Sequence, residues 1–270
     1  MKKILLSLIL ILGASAFAQD DEATEDASEK TAVEAATQTE VAPEVKTDDM
    51  GWKANAGLNG VSNTGNAVNQ TVSGLFSVVN RTGMNKVELS GIGAYGRAQD
   101  DAGVTSTNTE NWRTQLRYDR YLNDTIAIFG YGHLGQDRPA GFDWRFGGGT
   151  GFAHEVIKKE KDFLRYEIGY DYTREDRITD VLADIHSARV FGIYKRKISD
   201  WADFSQTVEL LYNLEKSDDF RFNTLTGLTT KVTEKVGFQV GYAMRFDNDP
   251  VTGAENLDTQ TQAGLTVNFL

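Results

Sequence analysis

The sequence from Val236 to Phe246 reads VGFQVGYAMRF, and this stretch decides the fold class. Every second residue in it is large and apolar, and the residues between them are small or polar. Because side chains alternate between the two faces of a β-strand, one face of this stretch is apolar along its whole length and the other is not. The pattern therefore predicts an extended strand rather than a helix.

The same alternation recurs over most of the chain after residue 50. Leu164 to Tyr172 reads LRYEIGYDY and places Arg165, Glu167 and Asp171 together on one face. Clusters of Gly, Asn, Asp and Ser separate the alternating segments, as is typical of turns between strands. The predicted strands are 52–62, 66–79, 85–98, 109–122, 125–136, 142–157, 162–175, 184–197, 201–215, 219–232, 235–247 and 256–269.

Three features favour a membrane barrel over a soluble sheet. Most of the predicted strands exceed the roughly five or six residues usual in globular sheets and match the roughly 9–11 that a tilted strand needs to cross a bilayer. Connections alternate between short and longer ones, as in outer-membrane barrels. Aromatic residues near strand ends would form interfacial girdles; they are Trp52, Tyr121, Phe142, Trp144, Phe163, Trp201, Phe220 and Phe269. We therefore predict an all-β, antiparallel up-and-down transmembrane β-barrel of about twelve strands.

The beginning of the chain predicts export. Residues 1–18 have the basic start, the short apolar run and the Ala-Phe-Ala end of a signal peptide. Residues 19–49 contain eleven Asp and Glu against two Lys and no aromatic residue, which predicts a disordered periplasmic segment. This segment is either a solvated spacer or an arm that binds a basic partner. Residues 50–270 are the predicted barrel, in the outer membrane with both termini periplasmic.

If the apolar faces contact lipid, the charged residues between them face the lumen, because an Arg at the bilayer midplane costs about 2–4 kcal/mol. The charges could pair across strands and fill the interior, or they could border a narrow pore. The predicted lumen-lining residues are Arg113, Arg117, Arg145, Arg165, Glu167, Asp171, Glu209, Arg221 and Arg245, with Gln115, Asp119 and Asn223 beside them. The solute or ion cargo is not predicted.

The last strand carries a candidate assembly signal. In Gln262 to Phe269, QAGLTVNF, the residues Gln262, Gly264, Val267 and Phe269 fit the pattern polar-x-Gly-x-x-apolar-x-aromatic. This pattern resembles the C-terminal signal read by the barrel-assembly machinery, although Leu270 follows the aromatic residue. The predicted partners are that machinery, outer-membrane lipid and lipopolysaccharide. No basic aromatic patch predicts a nucleic-acid partner.

Several short motifs together resemble the YdiY-like salt-induced outer-membrane protein family, whose function is unknown. The motifs are Gly65-Asn66, YDRYLND at 118–124, Asp137 followed by Gly141-Phe142, RFGGGTG at 145–151, Glu167-Ile168-Gly169 and the region near Asp258. The resemblance covers most of residues 52–270. The resemblance implies an outer-membrane barrel, and it implies no particular activity.

No catalytic constellation or cofactor site is predicted. His133, His154 and His186 have no metal-ligand spacing, and the chain has no cysteine. His186 and Ser187 are adjacent and would point to opposite faces of a strand, so they cannot act as base and nucleophile. We therefore expect a non-enzymatic barrel, either structural or a narrow channel. Two alternatives remain open: an outer-membrane lipid hydrolase of the phospholipase kind, and a soluble periplasmic β-barrel that binds a small apolar ligand with its faces inverted.

Overall fold

A computed structural model describes residues 50–63, 68–99, 104–138, 141–178, 182–250 and 256–268. The signal peptide and the acidic segment lie outside these ranges. The described residues form twelve strands: β1 Gly51–Asn63, β2 Val68–Thr82, β3 Asn85–Gln99, β4 Thr105–Tyr121, β5 Ile126–Asp137, β6 Phe142–Lys158, β7 Asp162–Arg177, β8 Ala183–Ser199, β9 Ala202–Asn213, β10 Phe220–Lys231, β11 Val236–Asp247 and β12 Leu257–Asn268. No helix long and apolar enough to cross a bilayer occurs among them.

The strands close into a barrel with simple topology. Each strand pairs antiparallel with its neighbours in the chain, and β1 pairs antiparallel with β12 through Ala56 and Val267. Every strand therefore has a partner on both sides, which is the condition for a sheet to lie in hydrocarbon, although the seam pairs only Asn55–Leu58 of β1 with Leu265–Asn268 of β12. The predicted up-and-down barrel of twelve strands is confirmed.

The predicted strand bounds are within a few residues of those observed, and the largest difference is at the start of β4. That strand begins at Thr105 rather than at residue 109. Its first residues read TSTN, which are polar on both faces and show no alternation. They pair with the end of β3 beyond a bulge at Gly96/Arg97. The β-branched threonines suit a strand that rises above the membrane, where neither face has to be apolar.

The two ends of the barrel differ. At one end, which we call the turn rim, β1 begins and the connections 83–84, 122–125, 159–161, 200–201 and 232–235 are two to four residues long. At the other, the loop rim, the connections 64–67, 100–104, 138–141, 178–182, 214–219 and 248–256 have four to nine residues. Asn123 shows how the short turns form, since its side-chain oxygen accepts hydrogen bonds from the N–H groups of Thr125 and Ile126 at 2.9 and 2.8 Å. The predicted alternation of short and longer connections holds except at 64–67 and 138–141, which are no longer than the turns 122–125 and 232–235.

The apolar face points outward. On β7, the side chains of Tyr166 and Ile168 are 42% and 57% exposed on the outer wall, while Arg165 and Glu167 between them are buried inside. The same arrangement recurs on most other strands, so the outer wall is mainly apolar and the interior holds most of the buried charges. On β10 the outer face carries Thr224 and Thr226, and Leu225 points inward. A soluble barrel with an apolar interior does not fit this arrangement.

The predicted aromatic girdle is wrong for three of its members. Trp52 and Trp144 are exposed on the outer wall and Trp201 is exposed in the 200–201 connection, but Tyr121 and Phe142 are buried inside the barrel at 2% and 8% exposure. Phe163 shares the inward face of β7 with Arg165. The other two inward rings pack under an arginine: the guanidinium of Arg81 lies 4.4 Å from the Tyr121 ring centre, and Arg145 lies 4.8 Å from that of Phe142. Cation–π contact explains why these rings face a charged lumen rather than lipid. Phe269 lies outside the described residues.

Candidate functional site

The centre of the lumen holds a carboxylate shared by three arginines. Glu167 of β7 accepts hydrogen bonds from Arg117 Nη2 at 2.6 Å, from Arg165 Nε at 2.8 Å and from Arg189 Nη1 at 2.9 Å. Its side chain is 2% exposed. Charge-assisted hydrogen bonds of this kind are stronger than those between neutral groups. Here they satisfy both oxygens of a carboxylate that water does not reach.

Two further carboxylates extend this cluster. Asp119 accepts two hydrogen bonds from Arg117, both at 3.0 Å, and another from Arg165. Arg189 donates to Glu209 at 2.7 Å. We call these six side chains the inner network: Arg117, Asp119, Arg165, Glu167, Arg189 and Glu209. Three positive and three negative charges balance, as a buried ion cluster requires.

The inner network crosses the lumen. Arg117 is on β4 and Glu167 is on β7, three strands further along the wall, so the two side chains meet through the interior rather than as neighbours on one sheet. From Glu209 on β9 the contacts continue to Asn223 on β10 at 3.2 Å. Side chains from five of the twelve strands therefore converge at this level.

An aromatic ladder supports the inner network from one side. Phe129, Tyr131 and His133 alternate along the inner face of β5, with ring centroids 6.1 and 6.2 Å apart. The guanidinium of Arg117 lies 4.4 Å from the Phe129 ring centre, and that of Arg189 lies 5.3 Å from the Tyr131 ring centre. The Tyr131 hydroxyl donates to Asp171 at 2.6 Å. The ladder therefore fixes two arginines of the network.

The ladder explains the glycine run of β6. Phe129, Tyr131 and His133 pair directly with Gly151, Gly149 and Gly147. A Cβ at Gly149 would come within 2.6 Å of both the Tyr131 ring and a backbone oxygen, and one at Gly151 would come within 2.3 Å of a backbone oxygen. The glycines thus let the rings lie flat against the wall, which is a close-packing role.

We expect Gly149→Ala to cost about 1–3 kcal/mol of folding free energy, because the added methyl group overlaps the Tyr131 ring and the backbone. The matched control is Gly130→Ala on the outer face of β5, where the nearest atom to an added Cβ is 3.9 Å away. That control should be neutral or slightly stabilising. Urea titration of both variants in lipid vesicles measures the difference, and equal stabilities would contradict this packing.

A second cluster lies nearer the loop rim. Glu175 is fully buried and contacts Arg145, Arg177 and Arg221, the last two at 2.8 Å. Arg221 also lies 3.0 Å from Asp247. This outer cluster joins β6, β7, β10 and β11, so it too reaches across the interior.

A cavity of about 160 Å³ opens between the two clusters and the loop rim, and we call it the vestibule. It is lined by charges of both signs and by apolar side chains such as Ile185 and Leu211. The basic lining residues are Arg113, Arg145, Arg221 and Arg245, and the acidic ones are Asp137, Asp171, Glu209, Asp219 and Asp247. A space with this lining suits a small polar or charged solute rather than an apolar one.

The loops above the vestibule are tied to one another. Lys216 of the 214–219 loop donates to Asp249 of the 248–256 loop at 2.6 Å, and Asn248 donates to the backbone oxygen of Asp218 at 2.5 Å. The hydrogen bond to Asp249 raises the pKa of Lys216 above its usual value. Because both groups are exposed, the ion pair contributes little stability, and its effect is to hold two loops together.

The nine predicted lumen residues lie in the vestibule or in the inner network, and Glu209 belongs to both. Six of them line the vestibule: Arg113, Arg145, Asp171, Glu209, Arg221 and Arg245. The other three, Arg117, Arg165 and Glu167, belong to the inner network. Of the C-terminal pattern, Gly264 and Val267 lie on β12, and Val267 pairs with β1 and β11 at the seam of the barrel. The side chain of Gln262 and the whole of Phe269 are outside the described residues.

Sequence reasoning missed Arg189, Glu175 and Glu155. Arg189 lies on β8, where the large apolar residues Ile185 and Phe191 also face inward, so the apolar positions do not mark the lipid face of that strand. Glu155 and Glu175 lie near the ends of long strands, where a pattern of alternation gives little guidance. Glu175 could have been found from Asp171, which has the same parity on β7, whereas Arg189 and Glu155 have no charged neighbour within four positions on the same face.

The histidines are not brought together. His133 belongs to the aromatic ladder, His154 contacts Tyr166 on the outer wall at 3.1 Å, and His186 contacts Tyr170, also on the outer wall. His186 and Ser187 lie on opposite faces of β8, as expected. In the described ranges, no group of three or more His, Asp or Glu side chains is placed to hold a metal ion.

A closed antiparallel barrel with an apolar outer wall and a charged lumen defines a β-barrel protein of the outer-membrane class. Among solved structures, the chain is similar to the NanC porin, with a TM-score of 0.50 and 11% identity over 81% of this chain and 100% of that one. It also matches the translocator domain of the autotransporter NalP from Neisseria meningitidis, with a TM-score of 0.42 and 12% identity over 83% and 90% of the two chains. The match to the CymD monoaromatic hydrocarbon channel has a TM-score of 0.40 and 10% identity, and it covers 83% of each chain. At these identities the likeness concerns the fold alone.

The chain belongs to a family of proteins of unknown function, DUF481, whose sequence model matches residues 54–269. This is the YdiY-like family that the short motifs indicate. No curated protein sequence matches the chain.

Proposed function

We propose that this protein is a non-enzymatic, narrow outer-membrane channel for small polar solutes, held closed in this conformation by the inner network. The observation that carries the proposal is the burial of the lumen below the vestibule. Glu167 and Asp119 on one side of the barrel and Leu225 on β10 are at most 2% exposed, although all three point into the interior. Ion pairs rather than a plug domain fill this level among the described residues.

The lengths of the connections at the two ends of the barrel support an assignment of the side from which a solute enters. In bacterial outer-membrane barrels, short turns face the periplasm and longer loops face outside. By this rule the vestibule opens to the exterior, the turn rim faces the periplasm, and the chain reaches β1 from the periplasmic side. Export by the signal peptide, assembly by the barrel-assembly machinery and contact with lipopolysaccharide belong to the same proposal.

The geometry supports a channel better than a lipid hydrolase. A hydrolase of this kind needs a serine and a histidine within hydrogen-bond reach at the rim. Ser187 faces the lumen while its neighbour His186 faces outward and contacts Tyr170. The ion pairs, in contrast, form a barrier that can rearrange, because each arginine has several alternative carboxylates nearby.

Planar-bilayer conductance tests the proposal. The test variant combines Arg117→Ala, Asp119→Ala, Arg165→Ala and Glu167→Ala, which removes two charges of each sign and leaves no net imbalance. We expect wild-type protein to show rare, small openings and the variant to conduct steadily at a several-fold higher level. Heat-modifiable migration on a gel verifies that the variant is folded.

The control variant combines Arg145→Ala, Glu175→Ala, Arg221→Ala and Asp247→Ala in the outer cluster. This change enlarges the vestibule but leaves the inner network intact below it, so the conductance should stay near that of wild type. If the inner-network variant is folded and as silent as wild type, the protein is a structural barrel and the channel proposal is wrong. Equal opening by both variants would place the constriction elsewhere.

A further inference from the structure

The two rims carry opposite charge. If each rim is taken as its connections plus four residues of every adjoining strand, the turn rim has twelve basic and nine acidic residues. The loop rim has eight basic and fifteen acidic residues in its sequence. Three of the turn-rim charges, Asp119, Glu155 and Arg165, are buried inside the lumen. The remaining surface of the turn rim is therefore net positive.

The positive charge of the turn rim is concentrated at the connection between β6 and β7 and the adjacent end of β8. Five basic residues lie there, against three acidic ones: Lys158, Lys159, Lys161, Arg196 and Lys197, against Glu160, Asp162 and Asp200. Three of the five form ion pairs: Lys158 with the buried Glu155 at 3.6 Å, Arg196 with Asp162 at 3.8 Å and Lys197 with Asp200 at 3.3 Å. Lys159 and Lys161 are exposed at the tip of the turn. We call this surface the basic turn.

A segment of opposite charge is tethered to the same rim. Residues 19–49 contain eleven acidic and two basic residues, and they lead directly into β1, which starts at Gly51 on the turn rim. Tethering raises the effective concentration of the segment at this rim, so that even weak ionic contacts are populated.

The basic turn lies across the barrel mouth from the tether. β7 is six strands from β1 in either direction around the twelve-stranded wall, so the two are diametrically opposite. Strand spacing and tilt give the barrel a diameter of roughly 24 Å. A chain of this length has a random-coil end-to-end distance of about 30 Å, and like charges extend it further. The segment can therefore reach the basic turn by crossing the mouth.

We propose that the acidic segment 19–49 docks on the basic turn of its own barrel. This inference depends on the charges and the topology and not on the channel proposal. It names the basic partner of the acidic segment as a surface of the same chain.

Pulsed electron paramagnetic resonance on the full chain in lipid bilayers tests the docking. Nitroxides are placed at Ala35→Cys in the segment and at Leu122→Cys, an exposed position beside the basic turn, where Lys158 donates to the backbone of Asp124 at 3.2 Å. The chain has no native cysteine. We expect a narrow population of distances below about 25 Å, the diameter of the mouth.

Two charge-reversal variants make the test specific. The variant Lys159→Glu with Lys161→Glu should abolish the narrow population, whereas the control Lys231→Glu with Lys235→Glu, on the same rim between β10 and β11, should keep it. Glu34→Gln, Glu40→Gln and Glu44→Gln together should also abolish it without changing the barrel. In about 0.5 M salt, where the Debye length falls to about 4 Å, the population should broaden.

A broad distribution that is unaffected by salt would overturn the proposal and make the segment a spacer. Loss of the narrow population to the same degree in the control variant would also overturn it, since the attraction would then be to the rim as a whole. A segment that becomes ordered only when a basic protein is added would show that its partner is external.

Discussion

Replacing Glu167 with glutamine is expected to reduce the free energy of unfolding by about 3–5 kcal/mol, the range for removing one partner of a buried ion cluster. The amide has almost the same shape as the carboxylate, so packing is kept while one charge is lost. Three buried arginines then share fewer acidic partners, and their desolvation is no longer offset. Urea titration of the barrel in lipid vesicles, followed by tryptophan fluorescence, measures the loss.

The matched control is Glu160→Gln in the exposed turn between β6 and β7. The same chemical change at a solvated site should alter stability by less than about 0.5 kcal/mol. If Glu167→Gln is as stable as wild type, the inner network is hydrated or differently paired, and the closed lumen described above does not exist.

The second large effect is expected on the outer wall. Ile168 lies near the middle of β7 and is 57% exposed on the lipid side. Ile168→Arg should cost about 2–4 kcal/mol, because a guanidinium at the bilayer midplane loses its hydration. The equilibrium between folded and unfolded protein in vesicles of a fixed lipid measures this cost.

The control for this substitution is the same change at a residue that lies near the membrane interface. Ile198 is equally exposed, but it lies one residue from the end of β8 at the turn rim. Ile198→Arg should cost only about 0–1 kcal/mol, since the side chain reaches the interface. Equal costs at the two positions would mean that the outer wall does not lie in a bilayer.

The architecture was predictable because alternation and turns are local properties of the sequence. The segment Leu164–Tyr172 shows its two faces without any knowledge of its neighbours, and the turn at Asn123 is set by one side chain. The start of β4 was missed because TSTN has no alternation to detect. The distinction between lipid and lumen faces followed from physics, since buried charge is tolerated only where it can be paired.

The pairing within the lumen could not be predicted in the same way. Arg117 meets Glu167, which is fifty residues away and on the third strand along, and this depends on the tilt and stagger of the whole barrel. The sequence therefore left open whether the charges fill the lumen or border a pore. It also misplaced Tyr121 and Phe142, because an aromatic residue near a strand end can serve a lipid interface or an inward arginine equally well.

The glycine run shows how register determines the role of a motif. In isolation, Gly147 to Gly151 indicates only a flexible or closely packed stretch. Once β5 is paired with β6, each inward glycine faces one ring of the aromatic ladder. The role of the motif thus lies in the neighbouring strand, and only the pairing of the two strands reveals it.

A nitroxide scan along β10 in lipid vesicles tests most directly that the outward face of the wall contacts lipid and that the interior is sealed. Single cysteines at 223–229 are read for collision with oxygen, which enters lipid, and with a polar nickel chelate, which stays in water. We predict high oxygen access at Thr224, Thr226 and Leu228, with low access to both reagents at Leu225 and Gly227. Chelate access at those two inward positions, or oxygen access without alternation, would contradict the account.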